Sequence, residues 1–202
     1  MTFPIRRRAG ALLLALSLAA PAAAQTPSPG PPRVAPPEQH DGAHDFDFLL
    51  GDWKAHVKRL PDRLVGSTAW IEYDGVDHHH SVLGSAANFE EFEVDSKTAP
   101  PGAMKHIHAQ TLRLYNPISR QWSIYGIDVD QGTLGLPATI GAFHDGIGEF
   151  YDYEDWKGRM VLVRYQWSHK GANDALMEQA FSPNGGKTWE VNWVCELTRE
   201  KS

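Results

Sequence analysis

From residue 51 to residue 199 the apolar residues of this chain recur at every second position, and no stretch carries the spacing of an amphipathic helix. A strand turns successive side chains to opposite faces, so such a sequence forms half-buried strands. WKAHVKRL sets Trp53, Ala55 and Val57 against Lys54, His56 and Lys58; STAWIEY and NFEEFEV follow with β-branched and aromatic residues. MKHIHAQTLRLY alternates through Leu112 and Leu114, and Asn116-Pro117 makes a turn before QWSIYGID. FHDGIGEFYDYEDW, a turn at Lys157-Gly158 and RMVLVRYQWSH give two more, and ALMEQAFS joins TWEVNWVCELTR across Pro183-Asn184-Gly185-Gly186. About eight to ten short strands at this spacing predict an all-β fold, an antiparallel up-and-down barrel with one short helical turn, FDFLL, ahead of it.

The last turn, SPNGGKTW at Ser182–Trp189, fits the Asp-box pattern of sialidase propellers. A propeller repeats its motif in every blade. Here it occurs once in 202 residues, so it is read as a hairpin whose Asn caps its own turn, whose glycines take positive φ and whose Trp packs beneath.

The amino-terminal part does not belong to the barrel. Arg6, Arg7 and Arg8, the apolar run ALLLALSLAA and the small residues Ala22-Ala23-Ala24 have the form of a secretory signal, residues 1–24. The apolar run is shorter than the roughly 20 residues that span a bilayer. No membrane insertion is expected after cleavage, and the location expected is periplasmic or secreted. Residues 25–43 follow as a proline-rich disordered linker, with six prolines between Gln25 and His40, and the barrel domain is placed at 44–200. Loss of residues 1–24 removes three arginines and no acid, so the net charge moves from −6 to −9. That balance excludes nucleic acid as a partner. The single cysteine, Cys195, permits no internal disulfide and reads as a buried, inert thiol in an apolar strand.

Both ends of the domain carry a resemblance. FDFLL runs into Gly51-Asp52-Trp53, a Gly-x-Trp at the head of the first strand, and Arg199 closes the last strand in ELTRE. This resembles the calycins, the lipocalins and fatty-acid-binding proteins. The resemblance implies that Trp53 plugs the barrel base and that Arg199 packs over it. FDFLLGDW together with SPNGGKTWE is also similar to a family of exported bacterial proteins with calycin-like barrels and no established activity, over most of residues 45–200. Nitrobindin, a haem-binding barrel, shares only the Gly-x-Trp, so no haem ligand is implied.

Ten histidines are the compositional oddity. His78 and His80 share a strand face and read as an exposed run after the Asp74-Gly75 turn, so no metal is assigned to them. On the next two strands Phe92, Leu112 and Leu114 are taken as inward. That choice places Asn88 and Glu90 inward on one strand and His106, His108 and Gln110 inward on the other, with Thr111 and Arg113 outside. A register setting Glu90 opposite His108 and Asn88 opposite Gln110 is expected. Tyr165 and Trp167 share a face with Val161 and Val163 and are read as an apolar wall.

These seven residues, Asn88, Glu90, His106, His108, Gln110, Tyr165 and Trp167, form the expected ligand site: a greasy cavity with a polar anchor for a small, partly apolar molecule. No nucleophile elbow, phosphate loop, zinc spacing or cofactor motif is present. Two other readings stand beside the binding barrel. One is an enzyme or metal-binding barrel using Glu90 with His106 or His108; the other is a barrel packed solid and acting through its surface. An interior cavity separates the last from the other two.

Overall fold

A computed structural model of the chain describes residues 40–84 and 86–200. The expected signal segment and most of the expected linker lie outside the described residues. Eleven strands follow one another: β1 Gly51–Arg59, β2 Ile71–Val82, β3 Ala87–Asp95, β4 His106–Asn116, β5 Gln121–Asp128, β6 Thr133–Leu134, β7 Thr139–His144, β8 Ile147–Trp156, β9 Arg159–Gly171, β10 Asp174–Ser182 and β11 Glu190–Arg199. All pairings are antiparallel, β1 pairs with both β2 and β11, and β4 pairs with β5. Ten strands therefore close into a barrel, with β6 appended to β5. Closure leaves no long open edge. The segment FHDGIGEFYDYEDW divides between β7 and β8 at a turn where Asp145 and Gly146 both have positive φ.

Two short 3-10 turns, Gly42–His44 and Asp47–Leu49, lead into β1 and cover one end of the barrel. Phe46 and Leu49 are fully buried there, and Phe46 meets Phe143, Trp122 and Phe150 at ring distances of 4.9, 5.1 and 5.4 Å. Trp53 lies beneath them, its Nε1–H donating to Leu49 O at 2.5 Å. The Arg199 guanidinium sits 4.1 Å over the Trp53 ring and donates to Phe48 O and Leu50 O, both at 2.8 Å. One cation thus fills the base and satisfies two carbonyls of the turn, as carbonyls at a helical end require. No helix among the described residues is long and apolar enough to cross a membrane.

The inward faces are Trp53, Ala55 and Val57 on β1, Tyr73, Asp77 and His79 on β2, and Asn88, Glu90, Phe92 and Val94 on β3. At Gly75 the β3 backbone comes so close that a Cβ would lie 2.0 Å from Glu93 O, so only glycine fits between Tyr73 and Asp77. At the far end Tyr73 donates to Met104 O at 2.8 Å, and Ala99 and Ala103 of the β3–β4 connection pack on the core.

The Asp-box segment forms the β10–β11 hairpin. Thr188 N donates to Asn184 Oδ1 at 2.9 Å, Gly186 N donates to Ser182 Oγ at 2.7 Å, and Gly185 and Gly186 have φ of 67° and 87°. Trp189 packs under the turn against Arg164.

Candidate functional site

The register across β2, β3 and β4 places His79 beside Glu90 and Glu90 beside Thr111, and Asn88 beside Arg113. The inward face of β4 is therefore Ile107, Ala109, Thr111 and Arg113. This corrects the reading of β4 from its leucines. Leu112 and Leu114 point outward, half-buried, while Arg113 is only 1 % exposed. His106, His108 and Gln110 lie with those leucines on the outer face. They border a groove of about 410 Å³ with His78, Glu91 and Glu93, in which His106 Nδ1 meets Asp95 Oδ1 at 3.0 Å. Glu93 is the residue opposite His108, and Gln110 is opposite Glu91.

The physical reason is charge pairing. An arginine is buried only where its donors find acceptors. Arg113 finds three: Nη2 donates to Glu90 Oε2, and Nη1 donates to Asn88 Oδ1 at 3.1 Å and faces His79 Nδ1 at 3.4 Å. Its guanidinium also packs against the Phe46 and Trp167 rings, 5.1 Å from each. Pairing and stacking together outweigh the weak preference of two leucines for the interior.

A guanidinium has no acceptor, so His79 Nδ1 must accept and Nε2 carries the ring proton. That Nε2–H donates to Asp77 Oδ2 at 3.0 Å. The chain of contacts therefore runs from Asn88 and Glu90 through Arg113 and His79 to Asp77, all buried. It ends on an atom without a donor: Asp77 Oδ1 has no hydrogen-bond partner among the described residues, and neither has Arg113 Nε.

The two carboxyl groups are tuned in opposite directions. Burial, then the nearby Glu90 charge, raises the Asp77 pKa above the ordinary carboxylate value. At Glu90 burial also pushes upward, but Arg113, His79 and a hydrogen bond from Thr111 together hold the carboxyl below its ordinary value. Glu90 is thus an ion-pair member, and Asp77 is a desolvated acid without a full counter-charge. Asp77, His79 and Glu90 also form the one group of three ligating side chains among the described residues, with ligand atoms within 4.8 Å of one another. A metal ion there would compete with Arg113 for Glu90 and for His79 Nδ1.

The polar group opens onto an interior cavity of about 220 Å³. Phe92, Ile107, Ile124 and Met177 supply apolar wall, Tyr165, Trp167 and Trp193 aromatic wall, and Asp77, Glu90 and Arg113 the charges. Tyr165 is held by two bonds, donating to Glu154 Oε1 at 3.1 Å and accepting from Gln179 Nε2 at 2.7 Å. Burial and then Glu154 raise its hydroxyl well above the ordinary tyrosine value. Cys195 lines the same cavity, and burial, then Asp77 and Glu90, push its thiol well up.

Of the residues expected to surround a ligand, the structure brings Glu90, Tyr165 and Trp167 to the cavity wall and Asn88 to the cluster behind it. It leaves His106, His108 and Gln110 outside. Thr111 and Arg113, expected on the outer face, line the cavity instead, and Asp77 and His79 are not among the residues expected there. Two signals in the sequence point to them. Ile71 and Tyr73 fix a parity that carries Asp77 and His79 inward, and a buried Glu90 demands a cation, which on β4 only Arg113 supplies as a permanent charge.

The described residues thus form a closed ten-stranded antiparallel barrel with a plugged base and a charged interior group. No protein-family model matches the sequence, and no curated protein matches it. Among solved structures the chain is similar to the S-type phycobiliprotein lyase CPES from Guillardia theta, with a TM-score of 0.55 and 11% sequence identity over 78% of this chain and 91% of that one. At that identity the likeness is one of fold.

Proposed function

We propose that the barrel binds a small, partly apolar molecule in its interior, held by the Asp77, Glu90 and Arg113 group and walled by Tyr165 and Trp167. The observation that carries this reading is the buried, unpartnered carboxylate oxygen of Asp77, a residue of the wall of a largely apolar and aromatic cavity. A solid core gains nothing from such an atom, since an unsatisfied buried polar group costs about 1–3 kcal/mol. A ligand donor would recover that cost. The cavity, about 220 Å³, is below the roughly 300–1,000 Å³ of pockets for drug-sized ligands, so its occupant is compact. The similar solved structure is that of a phycobiliprotein lyase, which supports a ligand-handling use of the architecture and carries no specificity to this chain. His106 and His108 face away from Glu90, so an acid–base or metal pair joining them to it is not part of the reading. The signal-like residues 1–24 support export to the periplasm or beyond.

Native mass spectrometry of the protein purified from its own cells tests the binding reading. A retained small mass is expected, and it should be lost on replacing Ala109 with Leu, which fills the cavity at a cost of roughly 1–3 kcal/mol. A bare chain mass for both proteins, with no melting shift across a panel of small amines, alcohols and acids, would overturn it.

A further inference from the structure

We infer that the occupant of the cavity is a compact cation, a protonated amine whose ammonium donates to Asp77 Oδ1; this inference rests on the ligand-binding reading above.

Charge counting within the buried group leads there. Among the described residues it holds two carboxylates, Asp77 and Glu90, and one permanent cation, Arg113. Arg113 and Glu90 neutralise each other as an ion pair. His79 bridges Arg113 and Asp77, its Nδ1 facing Arg113 at 3.4 Å and its Nε2 lying 3.0 Å from Asp77 Oδ2, and carries no permanent charge. The carboxylates thus outnumber the permanent cations by one, and the acid without a permanent partner is Asp77, which is 1 % exposed and whose Oδ1 lacks any donor among the described residues. Burial, then the Glu90 charge, raise the Asp77 carboxyl, as they do for an acid without its counter-ion. An ammonium placed against Oδ1 supplies the missing charge and the missing donor together.

The walls agree. Tyr165, Trp167 and Trp193 line the cavity, and aromatic surroundings are those in which ammonium groups are held. A neutral donor would satisfy the oxygen and leave the charge. An anion would have to approach Arg113, whose terminal nitrogens are engaged by Glu90, Asn88 and His79, whose Nε is buried, and against which Phe46 and Trp167 pack. It would then meet two carboxylates. A divalent metal at Asp77, His79 and Glu90 would have to displace the guanidinium from the acceptors it already serves.

Isothermal titration calorimetry of the intact, ligand-stripped protein with three probes of one size decides the matter: benzylamine, benzyl alcohol and benzoate. Benzylamine should bind at least about tenfold more tightly than benzyl alcohol, and benzoate most weakly of the three. Asp77→Asn should lower benzylamine affinity by about tenfold or more and leave benzyl alcohol within about twofold. Equal affinity for amine and alcohol, or equal loss of both in Asp77→Asn, would overturn the cation and leave the binding barrel standing. Tightest binding of benzoate would move the anchor to Arg113. Zinc binding that His79→Gln abolishes, with no benzylamine binding, would replace the amine by a metal. No binding of any probe would remove the ligand-binding reading itself and this inference with it. Should Asp77→Asn fail to fold, the order of the three probes on the unaltered protein still decides.

Discussion

Replacing Arg113 with methionine tests the central element of the site. The long thioether keeps much of the packing against Phe46 and Trp167, while all the donors to Glu90, Asn88 and His79 disappear. Glu90 is then a buried carboxylate with no permanent cation beside it. Breaking a buried ion pair from one side costs about 3–5 kcal/mol, because the remaining charge is left desolvated. In a protein of this size each kcal/mol moves the melting point by roughly 2–4 °C, so Arg113→Met should lower it by roughly 6–20 °C at neutral pH.

The pH dependence of that loss identifies its cause. In the unaltered protein Glu90 is held below its ordinary value of 4.5, so its stabilisation is fully present above that pH and fades as the pH falls through the lowered native value. In Arg113→Met burial is opposed only by His79 and Thr111, and the native value rises above the ordinary one. The Glu90 charge then becomes a cost that grows as the pH rises. The two melting curves should lie far apart at about pH 7.5 and approach each other at about pH 4.5. Adding Glu90→Gln should recover part of the loss, with a coupling of about 0.5–3 kcal/mol in a double-mutant cycle. A loss below about 1 kcal/mol, or one equal at both pH values, would show that Arg113 is held by packing and that the ion pair is incidental.

Two further outcomes follow from the fold. Trp53→Ala removes the fully buried base plug and its bond to Leu49 O, and should cost about 3–5 kcal/mol by calorimetry; a melting point unchanged to within about a degree would refute the plug. Cys195, its thiol buried and pushed well up, should resist a disulfide reagent in the native protein and react at the rate of unfolding; fast labelling under native conditions would show the cavity open to bulk solvent.

How much of this was legible in the sequence depended on whether the deciding interactions are local. The Asp-box turn was legible because Ser182, Asn184, Gly186 and Thr188 make its bonds among themselves. The barrel was legible because alternation recurs in nearly every segment and closure is the common way to remove the edges. On β1 and β3 the apolar majority gave the right faces, and Asn88 and Glu90 came inward with Phe92 and Val94. On β4 the same rule failed. Leu112 and Leu114 outvoted Arg113 by hydropathy, yet the strand turns its arginine in, because its acceptors sit on β2 and β3 and its stacking partners on the first turn and β9. Those partners lie 23 or more residues away in sequence, beyond the reach of any local pattern.

Alternation and charge demand are separate rules, and where they disagree the disagreement itself is informative. Faces assigned by hydropathy alone put Glu90 inside without a cation and put histidines beside it that the barrel turns outward. Requiring every buried acid to have a base reverses β4 from the sequence alone, since a one-residue change of face carries the whole strand with it. The same requirement, applied to the finished structure, is met at Glu90 by Arg113 and is unmet at Asp77 Oδ1. Folded chains satisfy their propensities nearly everywhere and depart from them at functional positions. The departure argued from here is the unpartnered Asp77 oxygen of the cavity wall, and the chemistry that completes it is a positive donor brought from outside the chain.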